Sequence, residues 1–303
     1  MEEEFDLLYK KLYNEHFKEL ERYRKRVSWI ALETAGWMCV CFFIMASPIL
    51  PQLMPIGVIL LVMLLLNMYM KKKRNATMSE KSYEAMYREK IVLPLIKKIF
   101  SSEKYYNEKR MPEAMYLRGK NKSNYDHFSS SQLVEAIVTT KQRQEIPINF
   151  AYISTSRGSG EEFELVFSGL VACFELSHSI KEEIYIETKD DEDTMLNKST
   201  FNIDVEEFED DFKIECKDKI LAMRILTSDI MAELVEIFKK YNIQFSIKIV
   251  DNFVQIKIYT SSHFSPDAGE TMKYEEVKKD YSILKTIELL VSSIYYAIDN
   301  VVI

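Results

Sequence analysis

A long apolar run near the N-terminus is the strongest feature in the pattern of hydrophobic and polar positions along this chain. Residues 29–70 contain a single charged side chain, Glu33. Three prolines lie in the middle of this run: Pro48, Pro51 and Pro55. A helix rises about 1.5 Å per residue, so roughly 20 apolar residues cross the core of a bilayer. Because proline lacks a donor N–H and clashes with the preceding helical turn, the run predicts a transmembrane helical hairpin over residues 28–70, with spans at 28–47 and 53–70.

Basic residues lie on both sides of the run, and the turn between the two predicted spans has no charge. Lys and Arg stay preferentially on the cytosolic side of a membrane, so both termini are predicted to be cytosolic. The alternative, a buried helical hairpin of a soluble protein, does not account for these flanks. Seven of the basic residues are also candidate contacts to anionic lipid headgroups: Arg24, Lys25, Arg26, Lys71, Lys72, Lys73 and Arg74.

Two polar residues lie inside the predicted spans. Glu33 and Asn67 are each 17 positions from residue 50, at the predicted turn, and are therefore expected at a similar depth. An ionisable group at that depth is costly unless it is paired or protonated. Local pairing of Glu33 with Asn67, Lys71 or interfacial water is the favoured explanation. The alternative is a polar contact between protomers, or a position that lines a pore in an oligomer.

Apolar residues at helical spacing continue on both sides of the hairpin. Residues 1–27 are predicted to form a cytosolic amphipathic helix, with apolar positions at Phe5, Leu8, Leu12, Leu20 and Tyr23. A second, basic amphipathic helix is predicted over residues 71–104, and Pro94 is expected to kink or restart it. Because the spans form a hairpin, these two helices emerge side by side and can pack antiparallel as a coiled-coil stalk. Alternatively, each helix docks on the soluble domain or lies along the headgroups.

The apolar period changes from helical to alternating in the C-terminal half. A connector with little regular structure is predicted over residues 105–132, and a cytosolic α+β domain over 133–303. Alternation predicts strands at 148–154, 162–176, 183–188, 212–216, 221–226, 243–250 and 253–259. Asp251-Asn252 suits a two-residue hairpin turn between the last two strands. With helices predicted at 228–241 and 275–300, the domain is expected to be a mainly antiparallel sheet with two packed helices.

Charge is distributed unevenly along the 303 residues, whose net charge is −7. Residues 71–110 hold 12 Lys and Arg against 5 Asp and Glu, whereas residues 111–303 hold 21 against 34. The basic part adjoins the predicted membrane, whose anionic headgroups would attract it. The acidic part would repel the phosphates of nucleic acid. The lipid bilayer is therefore a predicted partner, and nucleic acid is not.

The residue types that carry most protein chemistry form no recognisable constellation. The 4 cysteines contain no CxxC pair and the 4 histidines no HExxH or HxH spacing, so no metal site or disulfide framework is predicted. SRGSGEE, at 156–162, lacks a phosphate-binding spacing and predicts a hairpin turn. The acidic stretches 189–194 and 204–211 predict solvated loops, with a docking patch for a basic partner or a weak cation as the alternative. No catalytic or cofactor-binding residue, and no cofactor, is assigned.

Five short segments occur in a recognisable order: YREKIVLPLIKKI at 87–99, FSGLVACFEL at 167–176, MRILTSDIM at 223–231, FSIKIVDNFVQIKI at 245–258 and HFSP at 263–266. In this order and spacing they resemble the bacterial membrane family filed as domain of unknown function 3137. The family pattern favours Asp, Pro and Glu where this chain has Glu175, Ser228 and Ser265. The resemblance implies a bacterial protein with a membrane anchor and a cytosolic domain, and it assigns no activity.

These features predict a multi-pass protein of the bacterial cytoplasmic membrane whose cytosolic domain binds another protein or a small ligand, as an adapter or scaffold. Two other functions remain open. One is a homo-oligomeric membrane sensor, effector or pore whose soluble domain controls the hairpin, which Glu33 and Asn67 motivate. The other is an enzyme for lipid or cell-envelope substrates, with a site built from scattered residues such as Glu175, His178 and an acidic loop.

Overall fold

A computed structural model describes residues 3–22, 24–25, 80–106, 109–119, 125–189, 203, 205–260, 264 and 271–299 of the chain. The chain divides into two compact units. The first unit comprises Met1–Val92 together with Phe264–Lys278, and the second comprises Leu93–His263 together with Lys279–Ile303.

The first unit contains helix α1, which covers residues 3–22 and 24–25. Its buried residues recur at helical spacing, which confirms the predicted amphipathic pattern: Phe5, Leu12 and Leu20. Tyr274 packs edge-on against Phe5 and Tyr9, with ring centroids 5.4 and 5.0 Å apart. The Tyr9 hydroxyl donates to the backbone oxygen of Met272 at 2.9 Å. These contacts join α1 to the segment 271–278 within this unit.

Residues 80–99 form a second helical stretch whose middle is widened. Helix α2 spans Glu80–Tyr87, a π-helical turn spans Arg88–Val92, and helix α3, in the second unit, spans Leu93–Ile99. Pro94 lacks the N–H that would bond to residue 90, and such a loss is a common cause of a widened turn. The widened turn lies just before Pro94, and the kink or restart at Pro94 stays a prediction. The helix ends before the predicted boundary at 104, because a strand begins at Ser101.

Glu21, near the end of α1, is the centre of a charged contact in the first unit. Arg24 Nη2 lies 2.9 Å and Lys25 Nζ 3.3 Å from Glu21 Oε1. Thr271 Oγ1 donates to the other carboxylate oxygen. These hydrogen bonds, led by that from Arg24, lower the pKa of Glu21 to about 2. Tyr83 of α2 is an electrostatic neighbour of Glu21 and Arg24, so α1 and α2 are close here. Their packing as a coiled coil stays a prediction.

Stability of α1 is expected to depend on pH through Glu21. Its pKa in the folded state lies below the ordinary value of 4.5, so its contribution is complete above about pH 4.5 and is lost as the pH falls towards 2. Amide hydrogen exchange in α1 should therefore be faster in Glu21→Gln than in the wild type above pH 4.5, and this difference should vanish near pH 2. Glu19→Gln, an exposed change on the same helix, is the control. A difference that persists at low pH would contradict the ionic origin.

Membrane anchoring stays a prediction from the apolar run. The two predicted spans, 28–47 and 53–70, lie outside the described residues. Among the residues that the structure describes, no helix is both long and apolar enough to cross a membrane.

The described part of the second unit is built on an eight-stranded antiparallel sheet, in the order β1-β2-β3-β4-β8-β7-β5-β6. The strands are β1 Ser101–Tyr106, β2 His127–Thr139, β3 Glu145–Arg157, β4 Glu164–Glu175, β5 Ile184–Thr188, β6 Phe212–Cys216, β7 Phe245–Val250 and β8 Phe253–Tyr259. The predicted turn at Asp251-Asn252 is confirmed, with Asp251 at a φ of 53°. The predicted hairpin turn in SRGSGEE is also confirmed, since it joins β3 to β4.

Helices cover one face of this sheet, which we call the helix face, and one short helix packs on the opposite face. Besides α3, the helices that reach into this unit are α4 Glu113–Arg118, α5 Glu206–Asp211, α6 Lys219–Ile225, α7 Ser228–Tyr241 and α8 Tyr274–Asp299. The helix face of β5 to β8 is formed by fully buried apolar residues: Ile184, Ile186, Ile214, Ile247, Ile249, Ile256 and Ile258. The rings of Phe212 and Phe238 lie 5.8 Å apart, which places α7 on this face. The expected α+β architecture with packed helices is confirmed.

Two sequence predictions were wrong in the second unit. Residues 221–226, predicted as a strand, lie largely within helix α6. A short apolar run does not distinguish strand from helix, and here Asp218 Oδ1 accepts from Leu221 N at 3.1 Å and starts a helix. The predicted connector 105–132 contains α4 and the start of β2. Its polar residues belong to a strand that pairs along its length with β3.

Candidate functional site

The face of the sheet opposite the helix face differs between its two halves. Over β2, β3 and β4 it is apolar, and residues of and near α4 pack on it in one cluster: Met111, Tyr116, Leu133, Ala151, Ile153, Phe167, Val171, Cys173 and Phe253. Over β8, β7, β5 and β6 this face carries polar side chains. We call these the polar patch: Tyr185, Glu187, Lys213, Ser246, Lys248, Gln255, Lys257 and Tyr259.

Strand register assembles the polar patch from four strands. Lys257 of β8 lies opposite Ser246 of β7. Further across the sheet, Ser246 lies opposite Glu187 of β5, which lies opposite Lys213 of β6. Directly opposed residues of an antiparallel pair project to the same face. These residues therefore form one row, and the neighbouring row contains Gln255, Lys248 and Tyr185.

Glu187 is the centre of hydrogen bonding in the polar patch. Lys213 Nζ lies 2.7 Å from Glu187 Oε2. The Tyr259 hydroxyl donates to Glu187 Oε1 at 2.7 Å. The side chains of Lys213 and Glu187 are only 10% and 16% exposed. A carboxylate buried to this degree is stable when it has such donors, so this ion pair links β5 to β6 and orients Tyr259.

Lys257 lies at the border between the apolar and polar halves of this face. Its Nζ is 5.1 Å from the ring centroids of both Tyr116 and Phe167, within cation–π range. Burial lowers the pKa of Lys257 to about 8; Lys248 acts in the same direction, and Glu187 opposes it. Within the described part of the chain, no hydrogen bond or ion pair reaches this nitrogen. Lys257 is therefore a cation that an external group can pair with.

A close approach of α4 to the sheet holds the ring of Tyr116 beside Lys257. Gln255 Nε2, on the buried side of the patch, donates to the backbone oxygen of Tyr116 at 2.9 Å. A Cβ atom at Gly119 would lie 2.6 Å from Gln255 Oε1. Glycine at position 119 therefore leaves space for the Gln255 side chain to bond to Tyr116, and this bond holds the Tyr116 ring in place.

Burial keeps the tyrosine and cysteine side chains around Lys257 neutral at physiological pH. It raises the pKa of Tyr185 and of Tyr259, and the nearby Glu187 carboxylate raises both further. It raises the pKa of Tyr116 and of Cys173 to about 12. The tyrosines are thus neutral hydroxyl groups, and Cys173 is a thiol rather than a nucleophilic thiolate.

The predicted lipid contacts that the structure describes are Arg24 and Lys25. The Arg24 side chain is 25% exposed and paired with Glu21, whereas that of Lys25 is 72% exposed. Arg24 is therefore partly satisfied within the protein, and Lys25 is the more accessible of the two. The other predicted site residues lie outside the described residues: Arg26, Glu33, Asn67, Lys71, Lys72, Lys73 and Arg74. Their lipid and intramembrane contacts stay predictions.

Glu175 and His178, considered for a scattered active site, have separate partners. Glu175 Oε1 lies 2.7 Å from Arg118 Nη1. His178 contacts the Ser177 hydroxyl at 3.0 Å and the backbone oxygen of Ile298 at 3.2 Å. The acidic stretch 204–211, predicted as a loop, is largely helix α5, because Phe208 is buried and stacks on Phe212. Among the described residues, no group of three or more His, Cys, Asp or Glu side chains could hold a metal ion.

Sequence reasoning missed every residue of the polar patch. The signal available was the alternation in β7 and β8, where Ser246, Lys248, Gln255 and Lys257 occupy the polar positions. Such positions usually face solvent, so the alternation predicted the strands correctly and gave no reason to single out these side chains. Burial and register, which the sequence pattern does not contain, distinguish them.

Comparison with known proteins identifies one family domain in this chain. Residues 165–295 match the family described as "Protein of unknown function (DUF3137)". Four of the five segments that suggested the resemblance lie within this range, as do all residues of the polar patch. The segment at 87–99 and the predicted anchor lie outside it. Neither a curated protein nor a solved structure matches the chain.

Proposed function

We propose that this chain is a membrane-anchored binding protein whose α+β domain holds a partner protein or a small ligand against the polar patch. The proposal places it in the bacterial cytoplasmic membrane, with both termini in the cytosol, as an adapter or scaffold. The apolar run and its basic flanks support the anchor, and the family resemblance supports the bacterial origin.

The observation that carries the proposal is the burial of polar side chains on a sheet face, beside a lysine that no described residue pairs with. Ser246 and Gln255 are 2% and 1% exposed, and Lys213 pairs with Glu187 while largely buried. Burying polar groups costs free energy unless they are paired. Partly buried polar groups with an uncompensated cation among them are typical of binding sites rather than of plain solvated surfaces.

Affinity purification from native membranes through a C-terminal tag, with mass spectrometry of the intact assembly, tests this function. A stoichiometric second component is expected with the wild type. It should be reduced at least about tenfold by Lys248→Glu, since reversing a charge in a binding site costs the free energy of a charged contact. Lys141→Glu is the matched control, because Lys141 is 81% exposed in a turn outside the patch.

Two outcomes would contradict this function. One is a second component that Lys248→Glu retains as fully as Lys141→Glu does. The other is a pure homo-oligomer in every variant. That result would support the alternative function, a membrane sensor, effector or pore, and Glu33→Leu would then be the variant to test for liposome leakage.

A further inference from the structure

We propose that the polar patch binds an organic carboxylate of single negative charge, with Lys257 as the group that pairs with its oxygens. This inference rests on the proposed function, because it names the chemical class of the ligand for the same patch. The ligand has a carboxylate at one end and an apolar body beside it.

The charged groups around Lys257 can be balanced by one additional negative charge. Lys213 and Tyr259 already bind the carboxylate of Glu187. On strands β4 to β8, the titratable and charged groups on this face are Cys173, Glu175, Lys248, Tyr185, Glu187, Lys213, Glu215 and Tyr259, and α4 adds Tyr116 and Arg118, the partner of Glu175. Lys248 repels the Lys257 ammonium, and no described residue supplies a carboxylate within ion-pair distance of it. A monoanion would supply the missing counter-charge.

The aromatic rings beside Lys257 favour an apolar body on this anion. Tyr116 and Phe167 stack with ring centroids 6.5 Å apart, and Tyr259 packs edge-on against Phe167 at 5.6 Å. Tyr116 and Phe167 are already buried, at 2% and 6% exposed, whereas Tyr259 is 37% exposed. An apolar group placed against the exposed part of the Tyr259 ring would be removed from water, which is favourable. A phosphate dianion would bring a second charge for which Lys257 offers no partner, and its desolvation would cost more. The aromatic rings and the charge count therefore favour a carboxylate over a phosphate.

Protonation of Lys257 makes this binding depend on pH. Burial gives Lys257 a pKa of about 8, so the ammonium form dominates below that pH and the neutral amine above it. A bound carboxylate favours the ammonium and should raise this pKa. An ordinary carboxylic acid is ionised above about pH 5. Binding should therefore be strongest between about pH 5 and 8 and should weaken as the pH rises further.

Lysine acylation of the full-length protein in its membranes tests the proposal. An N-hydroxysuccinimide ester of acetic acid reacts only with the neutral amine, and peptide mass spectrometry reports each lysine separately. Labelling of Lys257 should reach half its maximum near pH 8. Benzoate, as the probe ligand, should suppress labelling of Lys257 and move its half-point to higher pH. Exposed Lys217, outside the patch, should label equally with and without benzoate.

Equilibrium dialysis with radiolabelled benzoate gives a second readout that does not depend on labelling chemistry. Lys257→Met should lower the affinity at least about tenfold, because it removes a charged contact. Lys257→Arg keeps the charge at all accessible pH values, so it should retain binding and lose the weakening above pH 8. If Lys257→Arg binds benzoate and Lys257→Met does not, the loss in Lys257→Met comes from the missing charge and not from unfolding.

Three results would overturn the proposal: no effect of benzoate on Lys257 labelling, equal benzoate affinity in Lys257→Met and the wild type, or inorganic phosphate protecting Lys257 better than benzoate. The proposed function is tested independently by the purification experiment. If Lys248→Glu abolishes the co-purified component while benzoate gives no protection, the proposed function stands and the carboxylate assignment fails.

Discussion

Gly169→Ala is expected to destabilise the sheet of the second unit by about 3 kcal/mol or more. A Cβ atom at this position would lie 2.1 Å from the backbone oxygen of Ile258 and 3.1 Å from Phe167 Cζ. Gly169 lies in β4 and Ile258 in the neighbouring strand β8, so the clash is relieved only by separating two hydrogen-bonded strands. Amide hydrogen exchange of peptides from β4 and β8 measures this local loss, which suits a chain of two units better than one global unfolding transition.

Gly160→Ala is the matched control for this prediction. Gly160 lies in the turn between β3 and β4, with a φ of 63° and no atom within 4 Å of a Cβ at its position. Its replacement should therefore cost only the strain of a left-handed alanine, about 1 kcal/mol. If Gly169→Ala and Gly160→Ala destabilise the protein equally, the close approach of the Ile258 backbone oxygen to Gly169 does not determine the effect of Gly169→Ala.

Glu187→Ala is expected to destabilise the polar patch by about 3 to 5 kcal/mol, the usual cost of breaking a buried ion pair from one side. The variant removes from Lys213 its carboxylate partner at 2.7 Å, and the Lys213 side chain is only 10% exposed. It also removes the acceptor of the Tyr259 hydroxyl. Faster hydrogen exchange in β5 and β6 should report the loss, with little change in β2 and β3 on the far side of the sheet.

A double-mutant cycle with Lys213→Met isolates the ion pair from the rest of this effect. Without the ammonium, the loss of the carboxylate costs less, so Glu187→Ala combined with Lys213→Met should be less destabilising than the sum of the single variants. Tyr259→Phe serves as a control that removes one hydrogen bond and should cost about 1 kcal/mol. Additive single effects would mean that Lys213 and Glu187 are not coupled.

The sequence pattern was most informative for strands and helices that are defined by the apolar period of their own residues. Alternation predicted both strands around Asp251-Asn252, and the hairpin requires only neighbours in sequence. Helical spacing predicted α7 with the observed bounds, Ser228–Tyr241. Phe5, Leu12 and Leu20 marked the buried face of α1 correctly. In these cases the apolar period is itself the cause of the structure, since the apolar side must be covered.

The sequence pattern gave wrong secondary structure for short apolar segments and for polar segments. The apolar residues of 221–226 suit a strand as well as a helix, and the bond from Leu221 N to Asp218 decided for the helix. Polar residues at the start of β2 resemble a connector, yet their backbone pairs with β3. A local pattern cannot show that a distant strand will supply backbone hydrogen bonds.

The sequence by itself thus determined the α+β class, the alternating strands, the long helices and the apolar run that predicts a membrane anchor. The candidate site was decided only by the tertiary structure. Lys257 and Glu187 are far apart in sequence, and they share one face because β8, β7 and β5 are adjacent in the sheet. The lowered pKa of Lys257 arises from burial beside Tyr116 and Phe167 and from the charge of Lys248. Register and desolvation depend on contacts across the whole fold, and this is why no local pattern contains them.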